Sequence, residues 1–172
     1  MIDEALTYQT KLDNSAIQKI VNELEYFTSN APTTADYKGK NTYTIWSSAK
    51  NPKVIDIVPE DVWDHYGISK KDCKVELIKL RPGQFSEPHR DGYNNYIKNF
   101  PNTDKDDLIS LWISASEPKL GHALFLSDKD VVYNVPAGYC INVTHLFSNN
   151  THSGANAGEE DRFFITVLGQ KA

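Results

Sequence analysis

After Asp72 the chain alternates with period two in short, β-branched apolar runs broken by turn signals, and this feature limits the fold most. The spacing predicts strands over 74–80, 85–89, 108–115, 123–126, 131–135, 139–144 and 162–168. Between them lie Arg81-Pro82-Gly83, Asp91-Gly92, Ser127-Asp128, Pro136-Ala137-Gly138 and Ser153-Gly154, combinations that favour turns. A parallel βαβ sheet needs a helix between strands, and no helical pattern separates these. The expectation is therefore an α+β, mainly β chain, an antiparallel sandwich or barrel with its helices at the front.

The front does read as helical. Ile17, Ile20, Val21, Leu24 and Phe27 make one apolar stripe, so a helix is expected from Ser15 to Phe27. Ser15 with Gln18 fits a capping box, and Ala31-Pro32 supplies a stop. A short strand is expected at 43–46. A second helix should start at Pro59, carry Val62, Trp63 and Tyr66, and close at Gly67. The 172 residues suit one domain, with 1–71 as support and 72–172 as the β core. The helix should pack on one outer face of that core.

Charge and targeting exclude some classes. Eighteen basic against 23 acidic residues give a net charge of −5, against a nucleic-acid or anionic-membrane partner. The first residues lack the basic and apolar regions of a signal peptide, and no run reaches the ~20 apolar residues of a membrane span. A cytoplasmic protein with two buried thiols, Cys73 and Cys140, is the expectation.

Among the five histidines, His89 stands out because Asp91 follows two residues later. Side chains at i and i+2 of an extended chain project to one side, so both reach one metal ion. A second imidazole completes the two-histidine, one-carboxylate set that leaves three positions open on a non-haem iron. His145 and His152 both qualify by position. His152 is preferred because Arg162, one of only three arginines, follows ten residues later across the polar, glycine-rich segment 153–161. Arg162 opens the apolar run 163–168, and its guanidinium, if it points into the barrel, needs a partner. A carboxylate-bearing cosubstrate would supply a bidentate one.

His89-x-Asp91, His152 and Arg162 in this order resemble the 2-oxoglutarate and Fe(II)-dependent dioxygenase superfamily over roughly residues 74–169. The run Leu80-Arg81-Pro82-Gly83 through Pro88-His89-Arg90-Asp91 is similar to its aspartyl/asparaginyl and free-proline hydroxylases. The resemblance implies a double-stranded β-helix (jelly roll), with Fe(II) on His89, Asp91 and His152. It implies 2-oxoglutarate on that iron with its distal carboxylate on Arg162, dioxygen as oxidant, and hydroxylation of an amino acid or peptidyl side chain. His122 is a further candidate to hydrogen-bond 2-oxoglutarate, or else a satisfied core histidine. One departure stands out: many members carry Ser, Thr or Tyr two residues after the arginine, and here Phe164 does.

Two other classes compete. Cupin-like metalloproteins usually supply His-x-His where this chain has His-x-Asp. A non-enzymatic jelly-roll binding or structural module has no need of a buried arginine after a histidine. An isolated His-x-Asp arises often by chance, and the rival account makes 90–91 a solvated turn and pairs Arg162 with Glu159 or Glu160. The loop 93–96 is expected to meet substrate, Trp112 to be core, and Asn142 and Thr144 to line a polar site.

Overall fold

The apolar run opened by Arg162 becomes β10 (Arg162–Gln170), the middle strand of the larger of two sheets. The structure is a computed structural model that describes residues 4–28, 43–86, 88–126 and 130–172. The larger sheet also contains β1 (Thr7–Gln9), β2 (Phe27–Thr28), β3 (Thr44–Ser47), β4 (Lys74–Leu80), β5 (Leu108–Ser114) and β8 (Tyr139–Asn142). Its order is β1-β8-β5-β10-β4-β3-β2, antiparallel throughout. The smaller sheet has β6 (His122–Leu126), β7 (Asp130–Tyr133) and β9 (His152–Asn156), in the order β7-β6-β9. Single bridges from Phe85 to Ala155 and from His89 to His152 place those two residues along the free side of β9. From β4 onward the chain thus passes repeatedly between the sheets, the winding of a double-stranded β-helix.

The alternation sorts side chains into two layers. On β10, Ile165 and Val167 face outward with Val75, Leu77, Leu111, Ile113 and Cys140. They pack beneath α1 (Asn14–Glu23), the 3-10 turn Pro52–Ile57 and α2 (Glu60–Tyr66). Arg162, Phe164, Thr166 and Leu168 share the other face, toward the smaller sheet. Because β5 is covered on both sides, all seven of its residues are buried. The expected packing of the helix on one outer face is what the layers show.

Several boundaries differ from the expectation. α1 starts at Asn14 because Asp13, not Ser15, caps it, its carboxylate accepting from the Ser15 and Ala16 amides at 2.8 and 3.3 Å. It ends at Glu23, since Phe27–Thr28 pairs with β3 as a strand. The expected stop at Ala31-Pro32 and the turn at Ser127-Asp128 lie outside the described residues. Pro59 precedes α2 as its N-cap, and Gly67 closes it with φ +61°, a left-handed turn that suits glycine. Residues 93–96, expected as loop, lead into α3 (Asn94–Asn99), and the strand expected to reach Thr144 gives way to α4 (Thr144–Asn149).

The largest revision concerns Ser153-Gly154, which is strand rather than turn. β9 is held by β6 on one side and by 85–89 on the other, so pairing outweighs its weak intrinsic preference. Its polar side chains are absorbed. Ser153 Oγ donates to the Ser86 carbonyl (2.6 Å), and Asn156 Nδ2 donates to the Leu80 and Glu160 carbonyls (2.9 and 2.7 Å). Cys73 and Cys140 are separate buried thiols, pushed up by burial to about 11 and about 12. No helix among the described residues is long and apolar enough to cross a membrane.

Candidate metal centre

The bridge between His89 and His152 brings the two imidazoles to the same end of the smaller sheet. Each residue donates its amide to the other's carbonyl, at 3.0 and 2.9 Å. Just beyond, the Asp91 amide donates to the Phe147 carbonyl (3.1 Å), which holds the carboxylate beside the rings. Asp91 Oδ1 lies 3.5 Å from His89 Nε2 and 3.7 Å from His152 Nε2, and one donor atom from each residue falls within 4.8 Å of the others. Adjacent ligands on one divalent ion sit roughly 3 Å apart. The donor set and spacing therefore fit an ion after small side-chain movements.

The three ligands differ in exposure. The His89 side chain is 46% exposed, Asp91 27% and His152 6%. His152 stacks on Phe147 with ring centroids 3.7 Å apart, and its Nδ1 lies 3.4 Å from the Asn150 carbonyl. That second contact directs Nε2 toward Asp91, as a ligating histidine requires. Burial lowers the His152 pKa, with His89 adding to the shift and Asp91 opposing it, so the ring favours the neutral form that can bind a metal. His145, the other sequence candidate, is exposed on α4 and does not join the cluster.

The triad borders a cavity of about 510 Å³ between the sheets. Its walls include the apolar Trp112, Leu124 and Phe164 with Gly154, and the polar Lys74, Glu76, Tyr43, Tyr93 and Asn94. Arg162 lies behind two of these walls, 5% exposed, with its guanidinium 5.7 Å from the ring centroids of both Trp112 and Phe164. Nη1 donates to the Ala123 and Ala155 carbonyls at 2.5 and 2.9 Å. No carboxylate pairs with Arg162 among the described residues; Glu160 pairs with Lys119 and Asp161 with Lys79. Burial pulls the guanidinium down to about 10, still protonated at neutral pH. Among the described residues the cation has no counter-ion, where the rival account required Glu159 or Glu160.

Gly154 links the two features. It sits two residues beyond His152 on the same face of β9 and lines the cavity. A Cβ placed there would lie 3.5 Å from Arg162 Nη1, in ordinary contact, but a longer side chain would enter the space beside the guanidinium.

Other expectations resolve differently. His122 does not line the cavity; its Nε2 lies 3.3 Å from the Glu160 carbonyl, as a satisfied core histidine would. Asn142 and Thr144 bond to each other at the head of α4 (2.8 Å), and Val143 lines the cavity instead. Arg81 is exposed in its turn. Trp112 is core as expected, yet it also forms a cavity wall against Arg162. Lys74, Glu76, Ser86 and Ser110 also line the cavity. Period two on β4 and β5 places Lys74, Glu76 and Ser110 on one face, and that alternation was present in the sequence.

No protein-family model and no curated protein sequence matches this chain. Solved structures do. The non-heme alpha-ketoglutarate-dependent epimerase SnoN from nogalamycin biosynthesis aligns with a TM-score of 0.56 at 13% identity, over 96% of this chain and 77% of its own. An oxidoreductase of the 2OG-Fe(II) oxygenase family from Burkholderia pseudomallei aligns at 0.54 and 11%, over 98% and 87%. A cupin-superfamily sugar phosphate isomerase from Silicibacter pomeroyi aligns at 0.50 and 15%, over 94% and 76%. At these identities the likeness is one of fold, and the chain has the double-stranded β-helix fold.

Proposed function

We propose that this chain is an Fe(II)- and 2-oxoglutarate-dependent dioxygenase that hydroxylates an amino acid or peptidyl side chain, with succinate and CO2 as co-products. One observation carries the reading: a two-histidine, one-carboxylate cluster lines the cavity, and a buried arginine with no carboxylate partner among the described residues packs against two of that cavity's walls, Trp112 and Phe164. A metal site alone would serve many reactions of this fold. An unpaired buried cation beside it asks for an anionic ligand as well. Two structures of similar fold, the epimerase and the oxygenase-family oxidoreductase, are named for the same cosubstrate or metal class, which supports the reading.

When bound, iron and 2-oxoglutarate supply the oxidising chemistry that inserts one oxygen atom into a substrate C–H bond. The chain binds, orients and excludes water. His89, Asp91 and His152 would hold the ion from one side, and the Phe147 stack with the Asn150 carbonyl keeps His152 aimed. Arg162 would receive the distal carboxylate, its Nη1 steadied by two backbone carbonyls. Trp112 and Phe164 flank the guanidinium and keep that end apolar, which strengthens the contact.

The test is a succinate-release screen with Fe(II) and 2-oxoglutarate in air, over free amino acids and short peptides. The reading expects release that one substrate stimulates, and a product heavier by one oxygen. Metal binding with no 2-oxoglutarate consumption under any condition would contradict it.

A further inference from the structure

We propose that Lys74 and Glu76 form a subsite for a zwitterion, so that the substrate is a free α-amino acid rather than a residue within a peptide. This inference rests on the dioxygenase reading and narrows its substrate class.

Lys74 and Glu76 alternate on β4 with Val75, which packs in the outer layer, so both point into the cavity. Their charged groups meet at 2.7 Å, with Lys74 38% and Glu76 17% exposed at the side chain. A pair on an open surface needs no explanation, but this one is drawn into a cavity where desolvation costs free energy. With that pair made, an ammonium still has donors and a carboxylate still has lone pairs to offer a ligand in the cavity. The pair thus presents opposite charges side by side, matching the carboxylate and ammonium on one α-carbon. A peptide-linked residue has neither charge at that carbon.

The pair stands apart from the anion site at Arg162. Register places Leu80 opposite Arg162 and Glu76 opposite Thr166, four residues along the strand, or about 13 Å by strand rise. A cosubstrate held at Arg162 therefore leaves the Lys74–Glu76 end to a second ligand. Tyr43 connects that end to the metal cluster. It lines the cavity with Glu76 and Asp91, and burial chiefly, then those two carboxylates, raise its phenol pKa.

The experiment measures binding apart from turnover. Thermal shift and calorimetry on the Mn(II)-loaded chain with 2-oxoglutarate under nitrogen compare free L-amino acids with their N-acetyl, C-amide and doubly capped forms. At least one free amino acid should bind, and each cap should weaken it at least tenfold. Lys74→Met should remove discrimination against the C-amide, and Glu76→Gln discrimination against the N-acetyl form. A purely structural pair would weaken all forms alike. Capped forms binding as well as free ones, no free amino acid binding, or discrimination unchanged in both variants would overturn the inference. Free amino acid binding without 2-oxoglutarate consumption would overturn the dioxygenase reading and leave this inference standing.

Discussion

The two faces of the larger sheet use the same strands for opposite ends. Outward, Val75, Leu77, Ile113, Ile165 and Val167 fill a dry layer under the helices, and no charged residue lies among the buried members of that cluster. Inward, one residue away each time, come Lys74, Glu76, Ser110, Trp112 and Phe164 around a cavity, with Arg162 packed behind the last two. The first face supplies cohesion through burial. The second gives up packing to hold charged and aromatic groups around open space. A substitution's effect should therefore depend on the parity of its position.

The largest expected effect is on the rim of the cavity. His89→Ala, Asp91→Ala and His152→Ala should each abolish metal-dependent turnover, while His145→Ala keeps metal affinity; Mn(II) titration and succinate release check both. Next comes Arg162→Ala. Leaving the carboxylate unpaired should cost roughly 3–5 kcal/mol, two to three orders of magnitude or more in 2-oxoglutarate affinity. Arg162→Lys should rescue only part, because a point charge replaces a fork.

On the outward face, Leu77→Ala should destabilise the chain by about 2–5 kcal/mol in denaturant melts while the folded protein keeps its 2-oxoglutarate affinity. Loss of affinity there would erase the contrast between faces. Gly154→Leu should sharpen it. Its backbone needs no positive φ, so the added side chain should weaken 2-oxoglutarate about tenfold, roughly 1.4 kcal/mol, with little change in Mn(II) affinity.

The smallest effect concerns acid stability. Burial is the main cause of the lowered His122 pKa, so folding favours its neutral ring. That contribution is complete above the ordinary value of 6.5 and is lost as pH falls through the depressed one. Melting temperature should drop across that window in the metal-free chain, and less steeply in His122→Gln.

Much of this was legible in the sequence, for identifiable reasons. β4 runs over the expected residues, and His89, Asp91 and His152 converge, because period two fixes which side chains share a face. β9 was not legible as a full strand, since Ser153, Gly154 and Asn156 have weak strand preference and are held by neighbours distant in sequence. α3 and α4 are six residues each, too short for a helical stripe to show. The sequence leaves His122 open between a 2-oxoglutarate contact and a satisfied core histidine, because the start of β6 gives no hint that its ring meets the Glu160 carbonyl. The aromatic flanks of Arg162 come from different strands, β5 and β10, whose pairing is set by the fold.

The central claim is that the triad and Arg162 hold two parts of one metal–cosubstrate assembly. Thermal melts under nitrogen test it most directly, with no ligand, Mn(II) alone, 2-oxoglutarate alone, and both together. A further 2-oxoglutarate increment should appear only with Mn(II), be lost in His152→Ala, and nearly vanish in folded Arg162→Ala. An increment of equal size without metal, or one unchanged in Arg162→Ala, would contradict it.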